Sequence, residues 1–230
     1  MADLPVEPDT VAGGAAGRAT GGRPDDEDLP SVARLLSLTD GVVAIALTLL
    51  VLQLTVPHLP MGQENSASKL RTMLGSEGDE FVSYAISFYV IAQFWLAHHR
   101  VFRHVSGHHE GLAWWNFAFL FTITIMPFTS NLLGDYGSNP LAVDLFAINL
   151  LLASLATQAV GIFGGRWGLM KASATPELIR AGRVRAGTVS VVVAVSIGVA
   201  WINTDLAKYC WLLIAAAPWI AARVSRRRRG

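Results

Sequence analysis

Asp40 stands within an otherwise apolar run, six residues after Arg34, in the stretch Leu38-Thr39-Asp40-Gly41-Val42-Val43-Ala44-Ile45-Ala46-Leu47-Thr48-Leu49-Leu50-Val51-Leu52. An ionised carboxylate facing hydrocarbon is costly, so a side chain so placed turns toward protein or water. Two roles fit: anchoring the helix at a membrane boundary, or joining a buried polar network. Deeper in the run, Ile45, Thr48, Leu49 and Leu52 recur at i, i+3, i+4 and i+7 and share one stripe. At 100° per residue Asp40 sits about 140° round from Ile45. One helix therefore offers an aliphatic stripe in one direction and polar groups in another. Most such stripes in membrane helices face lipid or packing partners; a ring of them can also form a narrow apolar neck that gates by dewetting.

Further polar residues cluster at the same level. One apolar segment ends Phe94-Trp95-Leu96-Ala97-His98-His99-Arg100, and the next begins Trp114-Trp115-Asn116 after a short loop. Thr39, Asp40, His98 or His99, and Asn116 are thus expected to satisfy one another's hydrogen bonds. His104 and His108 have i, i+4 spacing, but without converging carboxylates or a His-Glu-x-x-His pattern no metal site is expected. No Gly-rich phosphate loop, Gly-x-Ser-x-Gly turn or paired intramembrane carboxylates nominate an enzyme, and no cofactor is implied. The single cysteine, Cys210, lies in an apolar span and cannot form an intrachain disulfide.

These residues must be positioned by membrane helices. The chain has 230 residues, 52% apolar and 15% charged, too apolar for a typical soluble domain. Six segments reach the roughly 20 residues that cross a bilayer core: 35–56, 81–101, 112–133, 141–163, 186–202 and 206–222. The fold expected is all-α, with a six-span membrane domain over 31–223. The glycine-, proline- and aspartate-rich residues 1–30 read as a disordered tail rather than a signal peptide, and 224–230 as an arginine-rich tail.

Six spans put both termini on one side. That side then holds Arg18, Arg23, Arg34, Arg100, Arg103, Arg166, Lys171, Arg180, Arg183, Arg185, Arg223 and Arg226 to Arg229, against Lys69, Arg71 and Lys208 opposite. Such a bias makes the arginine-rich side cytoplasmic, and gaining or losing one span would scramble it. The last arginines suit contact with an inner leaflet better than nucleic acid. Short loops and a single repeat suit a prokaryotic host, and hence the plasma membrane.

Arg34, Leu38-Thr39-Asp40, Gly41-Val42, Ala44-Ile45 and Thr48-Leu49-Leu50 resemble the signature of the bacterial and lysosomal transmembrane protein 175 potassium channels, an Arg followed by Phe-Ser-Asp and Gly-Val-x-Ala-Ile-x-x-Thr-Leu-Leu. Trp95, His98-His99 and Phe102 are similar too, as are Trp114-x-Asn116 and Pro127-Phe128-Thr129-Ser130-Asn131-Leu132-Leu133-Gly134. The resemblance covers 34–136; Leu38-Thr39 departs from Phe-Ser, keeping the hydroxyl and losing the ring. It implies a homotetramer whose first helices line a central potassium pathway. In that reading Ile45 constricts the pore with Leu49 and Leu52, and Thr48 supplies hydroxyls. Arg34, Thr39, Asp40, His98, His99, Trp114 and Asn116 hold the first three spans together. No Thr-Val-Gly-Tyr-Gly filter occurs, so modest preference for potassium over sodium is expected.

Two other readings compete. A proton-coupled transporter or proton pathway would run through Asp40 and His98 or His99. A noncatalytic scaffold would act through its arginine-rich tail or the 165–185 loop.

Overall fold

The computed structural model describes residues 31–55, 66–76, 78–107 and 109–216. Those residues form α1 (Val32–Val51), α2 (Ala67–Ser76), α3 (Gly78–Phe102), α4 (Glu110–Asp135), α5 (Pro140–Arg166), α6 (Pro176–Ala200) and α7 (Thr204–Cys210), with a 3-10 turn over Trp211–Ala216. The expected all-α class is observed. The helix starts follow local chemistry. Ser31, Asn139, Thr175 and Asn203 each accept a backbone N–H of the first turn, and Pro140 and Pro176 occupy first positions where no N–H is needed. In α3, Asp79 and Glu80 lie at the start and His99 and Arg100 at the end, matching the helix dipole.

Among the described residues five helices, α1, α3, α4, α5 and α6, are long and apolar enough to cross a membrane. The shortest, α1, has 20 residues and so spans about 30 Å. Their bounds differ from the expected spans where apolar content and helical structure part company. The first helix stops at Val51, and residues 52–54 form turns. The fifth begins ten residues before position 186, because the Thr175-Pro176 start signal precedes turns carrying Arg180, Arg183 and Arg185. Polar α2, absent from the sequence expectation, precedes α3. The sixth segment begins with α7 and the 3-10 turn; positions 217–222, the two expected tails, Val56 and His108 lie outside the described residues.

α5 is the central helix, packing against α4, α6 and α3, while α4 also carries α1. The core is made where these helices meet, with Leu50, Val90, Ile91, Phe119, Ile123, Met126, Phe146 and Leu150 all buried. Several polar groups pair between helices, as a low-dielectric interior favours. Ser87 donates to Ser130 at 2.7 Å, Asn149 to the Thr122 carbonyl at 3.0 Å, and Trp201 to Asp144 at 2.8 Å. Pro127 interrupts α4, since it has no N–H for the carbonyl four residues earlier. The Gln53 side chain donates to the Pro127 carbonyl, tying the end of α1 to that interruption.

A candidate pore-lining face on α1

α1 lies against α4 and α3 with one face only. Leu35, Thr39, Val43, Ala46 and Leu50, spaced by three or four residues, are its buried stripe. The opposite stripe is uncovered: Ile45 is 60% exposed, Leu49 44% and Leu52 76%, with Thr48 exposed among them. The four residues singled out by spacing therefore share one open face of the protomer. The Thr48 hydroxyl donates its proton to the Ile45 carbonyl at 2.8 Å, which leaves the oxygen lone pairs free to accept a hydrogen bond or meet a cation. On the same face Gly41 has no neighbouring atom near the position a Cβ would take, so the stripe continues past it unobstructed.

The expected polar network separates into two layers. Thr39, fully buried, has its hydroxyl within donating distance of the Leu35 carbonyl at 2.9 Å and of Asn116 Oδ1 at 3.0 Å, its one proton serving both. This joins α1 to α4. Asp40, the next residue, points 100° away and meets α3 instead. Its Oδ1 accepts from Trp95 Nε1 at 2.8 Å and faces His99 Nε2 at 3.3 Å. Trp95 and His99 lie one turn apart on α3 in a tilted contact, ring centroids 4.5 Å apart, and so present Nε1 and Nε2 to one carboxylate.

His98 belongs to neither layer. Fully buried, it stacks on Phe119 at 4.3 Å and meets Phe102 in a tilted contact at 4.6 Å, and neither ring nitrogen has a hydrogen-bond partner among the described residues. Its role in the fold is that of an aromatic plate between α3 and α4. Two other expected members also stand apart. Arg34 is exposed, its backbone N–H held by Ser31 Oγ, while Trp114 is 66% exposed and donates to Glu110 at 3.2 Å. Trp95, absent from the expected network, is the donor to Asp40. Its i, i+4 relation to His99, level with Asp40, was the available signal.

Thr39→Val keeps the shape and removes the hydroxyl, leaving Asn116 Oδ1 buried without its donor. A loss of about 1 kcal/mol is expected, read as a lowered unfolding midpoint of the purified protein.

Fold and site together define a multi-pass, all-helical membrane protein with an open, amphipathic first helix. Positions 34–127 match the family model "Endosomal/lysosomal potassium channel TMEM175". A potassium channel of Streptomyces collinus is 28% identical over 178 residues, covering 75% of this chain and 84% of that protein. The rat endosomal/lysosomal proton channel TMEM175 is 28% identical over 141 residues, which span 60% of this chain but 27% of the rat protein. The crystal structure of a lysosomal potassium-selective channel TMEM175 homolog from Chamaesiphon minutus superposes with a TM-score of 0.70 at 23% identity, covering 83% of this chain and 97% of that one. The two share a fold. Over residues 34–127 this chain is similar to the TMEM175 family.

Proposed function

We propose that the chain is one subunit of a potassium-permeable cation channel in the plasma membrane, with the arginine-rich face and both termini cytoplasmic. Four copies place their α1 helices around a central pathway, and the observation that carries this reading is the uncovered Ile45, Thr48, Leu49 and Leu52 stripe. In a ring, the aliphatic side chains form an apolar neck and the Thr48 hydroxyls a polar collar beside it. A collar of side-chain hydroxyls replaces hydration water less completely than stacked backbone carbonyls, so discrimination against sodium is modest. The Thr39–Asn116 and Asp40–Trp95 contacts fix the rotation of α1 about its own axis, and with it the direction of the stripe. The names of the Streptomyces and Chamaesiphon relatives support potassium as the permeant ion.

The test is a planar-bilayer recording of purified protein with potassium on one side and sodium on the other. A reversal potential displaced toward the potassium equilibrium value is expected. Thr48→Ala should lower the permeability ratio roughly threefold, equivalent to about 0.6 kcal/mol. An unchanged ratio moves the pathway off α1. A proton pathway is the second reading, favoured by the 3.3 Å approach of His99 to Asp40 and by the name of the rat relative. It requires proton flux without a potassium-dependent reversal potential.

A further inference from the structure

Away from α1, a cleft of about 300 Å³ opens between α3, α5 and α6. Its rim carries four guanidinium groups: Arg100 at the end of α3, Arg103 just after it, and Arg183 and Arg185 on α6. Among the described residues no aspartate or glutamate lines it. The cations are near enough to one another that Arg103 and Arg185 both repel Arg100. The Nε of Arg185 is buried and has no hydrogen-bond partner among the described residues. The rest of the lining is of opposite character, including Phe94, Val101, Ile162, Leu178, Val189 and Ile214. Two of its polar side chains, Ser154 and Gln158, are already engaged: the Ser154 and Ser190 hydroxyls lie 2.9 Å apart, and Gln158 donates to Ser190 at 2.8 Å.

We propose that this cleft binds an anionic phospholipid from the leaflet at the arginine-rich face, its phosphate among the four arginines and an acyl chain along the apolar wall. Guanidinium forks match phosphate oxygens in geometry and charge, and basic pockets between membrane helices suit anionic headgroups. An anion there relieves the mutual repulsion of the arginines and gives the buried Arg185 Nε an acceptor. Free phosphate satisfies the rim alone and leaves the apolar wall uncovered. The acidic stretch Asp25-Asp26-Glu27-Asp28 of the same chain has the right charge, yet its four carboxylates cannot bury themselves against that wall. The proposal is independent of ion conduction.

Native mass spectrometry of the full-length protein, titrated with phosphatidylglycerol or with phosphatidylcholine of the same acyl chains, tests it. Phosphatidylglycerol should bind about tenfold more tightly than phosphatidylcholine, and Arg100→Gln with Arg185→Gln should remove that preference. Gly182→Trp is the second variant: this residue lines the cleft and a Cβ there meets nothing within 4 Å, so the indole fills the space without altering charge. It should weaken phosphatidylglycerol binding about tenfold while helical content is unchanged. Equal binding of the two lipids, or preference retained in both variants, overturns the proposal. So does full displacement of phosphatidylglycerol by inorganic phosphate, which marks a plain anion site. Binding that emerges only after Asp25, Asp26, Glu27 and Asp28 are neutralised assigns the cleft to the chain's own acidic segment and overturns it equally.

Discussion

Replacing Ile45 with asparagine is expected to raise the resting potassium current by about tenfold, a barrier lower by about 1.4 kcal/mol. The residue is 60% exposed in the protomer, so its exchange removes little core packing and the protein should fold normally. In the proposed ring, by contrast, each copy would contribute one branched hydrocarbon to the narrowest point. Water leaves such a neck because it loses hydrogen bonds there, and an ion without water meets a barrier. An amide of similar size offers both a donor and an acceptor, so the neck wets. Ile45→Leu is the matched control: it preserves apolar character and should leave the current near the wild-type value. Macroscopic currents from liposomes or bilayers holding equal amounts of protein provide the measurement. A current unaltered by asparagine, with the assembly intact, places the barrier elsewhere.

Asp40→Ala is expected to cost about 2 kcal/mol of stability, while Asp40→Asn should retain most of it. The carboxylate accepts from Trp95 and faces His99, and alanine leaves the indole N–H without its acceptor between α1 and α3. Asparagine keeps an acceptor oxygen in the same place but cannot ionise. Thermal unfolding in detergent reads the first effect. Ion flux in the asparagine variant separates the structural role from a proton-carrying one. Potassium current that persists in Asp40→Asn, with lower yield in Asp40→Ala, fits a positioning residue. Proton flux abolished by both substitutions, with stability kept, assigns Asp40 to a proton route instead.

Much of this architecture was legible in the sequence because hydrocarbon thickness imposes a length that hydropathy reports directly. The helices α3, α4 and α5 fall within a few residues of the expected spans. α6 was read ten residues short, because the turns bearing Arg180, Arg183 and Arg185 are helical without being apolar, and only the Thr175-Pro176 start signal betrays them. The stripe on α1 was legible for a related reason. A helix buried on one side must repeat its buried residues at three and four, and the complementary set then falls on the open face.

Partners within the polar layers were harder to read. Spacing placed Thr39, Asp40, His98, His99 and Asn116 at one level, but level does not specify azimuth. Neighbours on a helix diverge by 100°, so Thr39 turns to α4 while Asp40 turns to α3, and His98 and His99 divide in the same way. Trp95 went unassigned because an indole in an apolar helix is ordinarily read for its hydrocarbon area, and its single donor becomes visible only beside an acceptor.

The open face of α1 also bears on mixing of chains. In the proposed ring, a wall built from one helix per copy would contain every substitution as many times as there are subunits, and a cell making wild-type and altered chains together would produce mostly mixed rings. A wetting substitution at Ile45 would then act alongside co-expressed wild-type chains. Damage to the Thr39–Asn116 layer, which lowers the amount of folded protein, would be masked by those same wild-type chains.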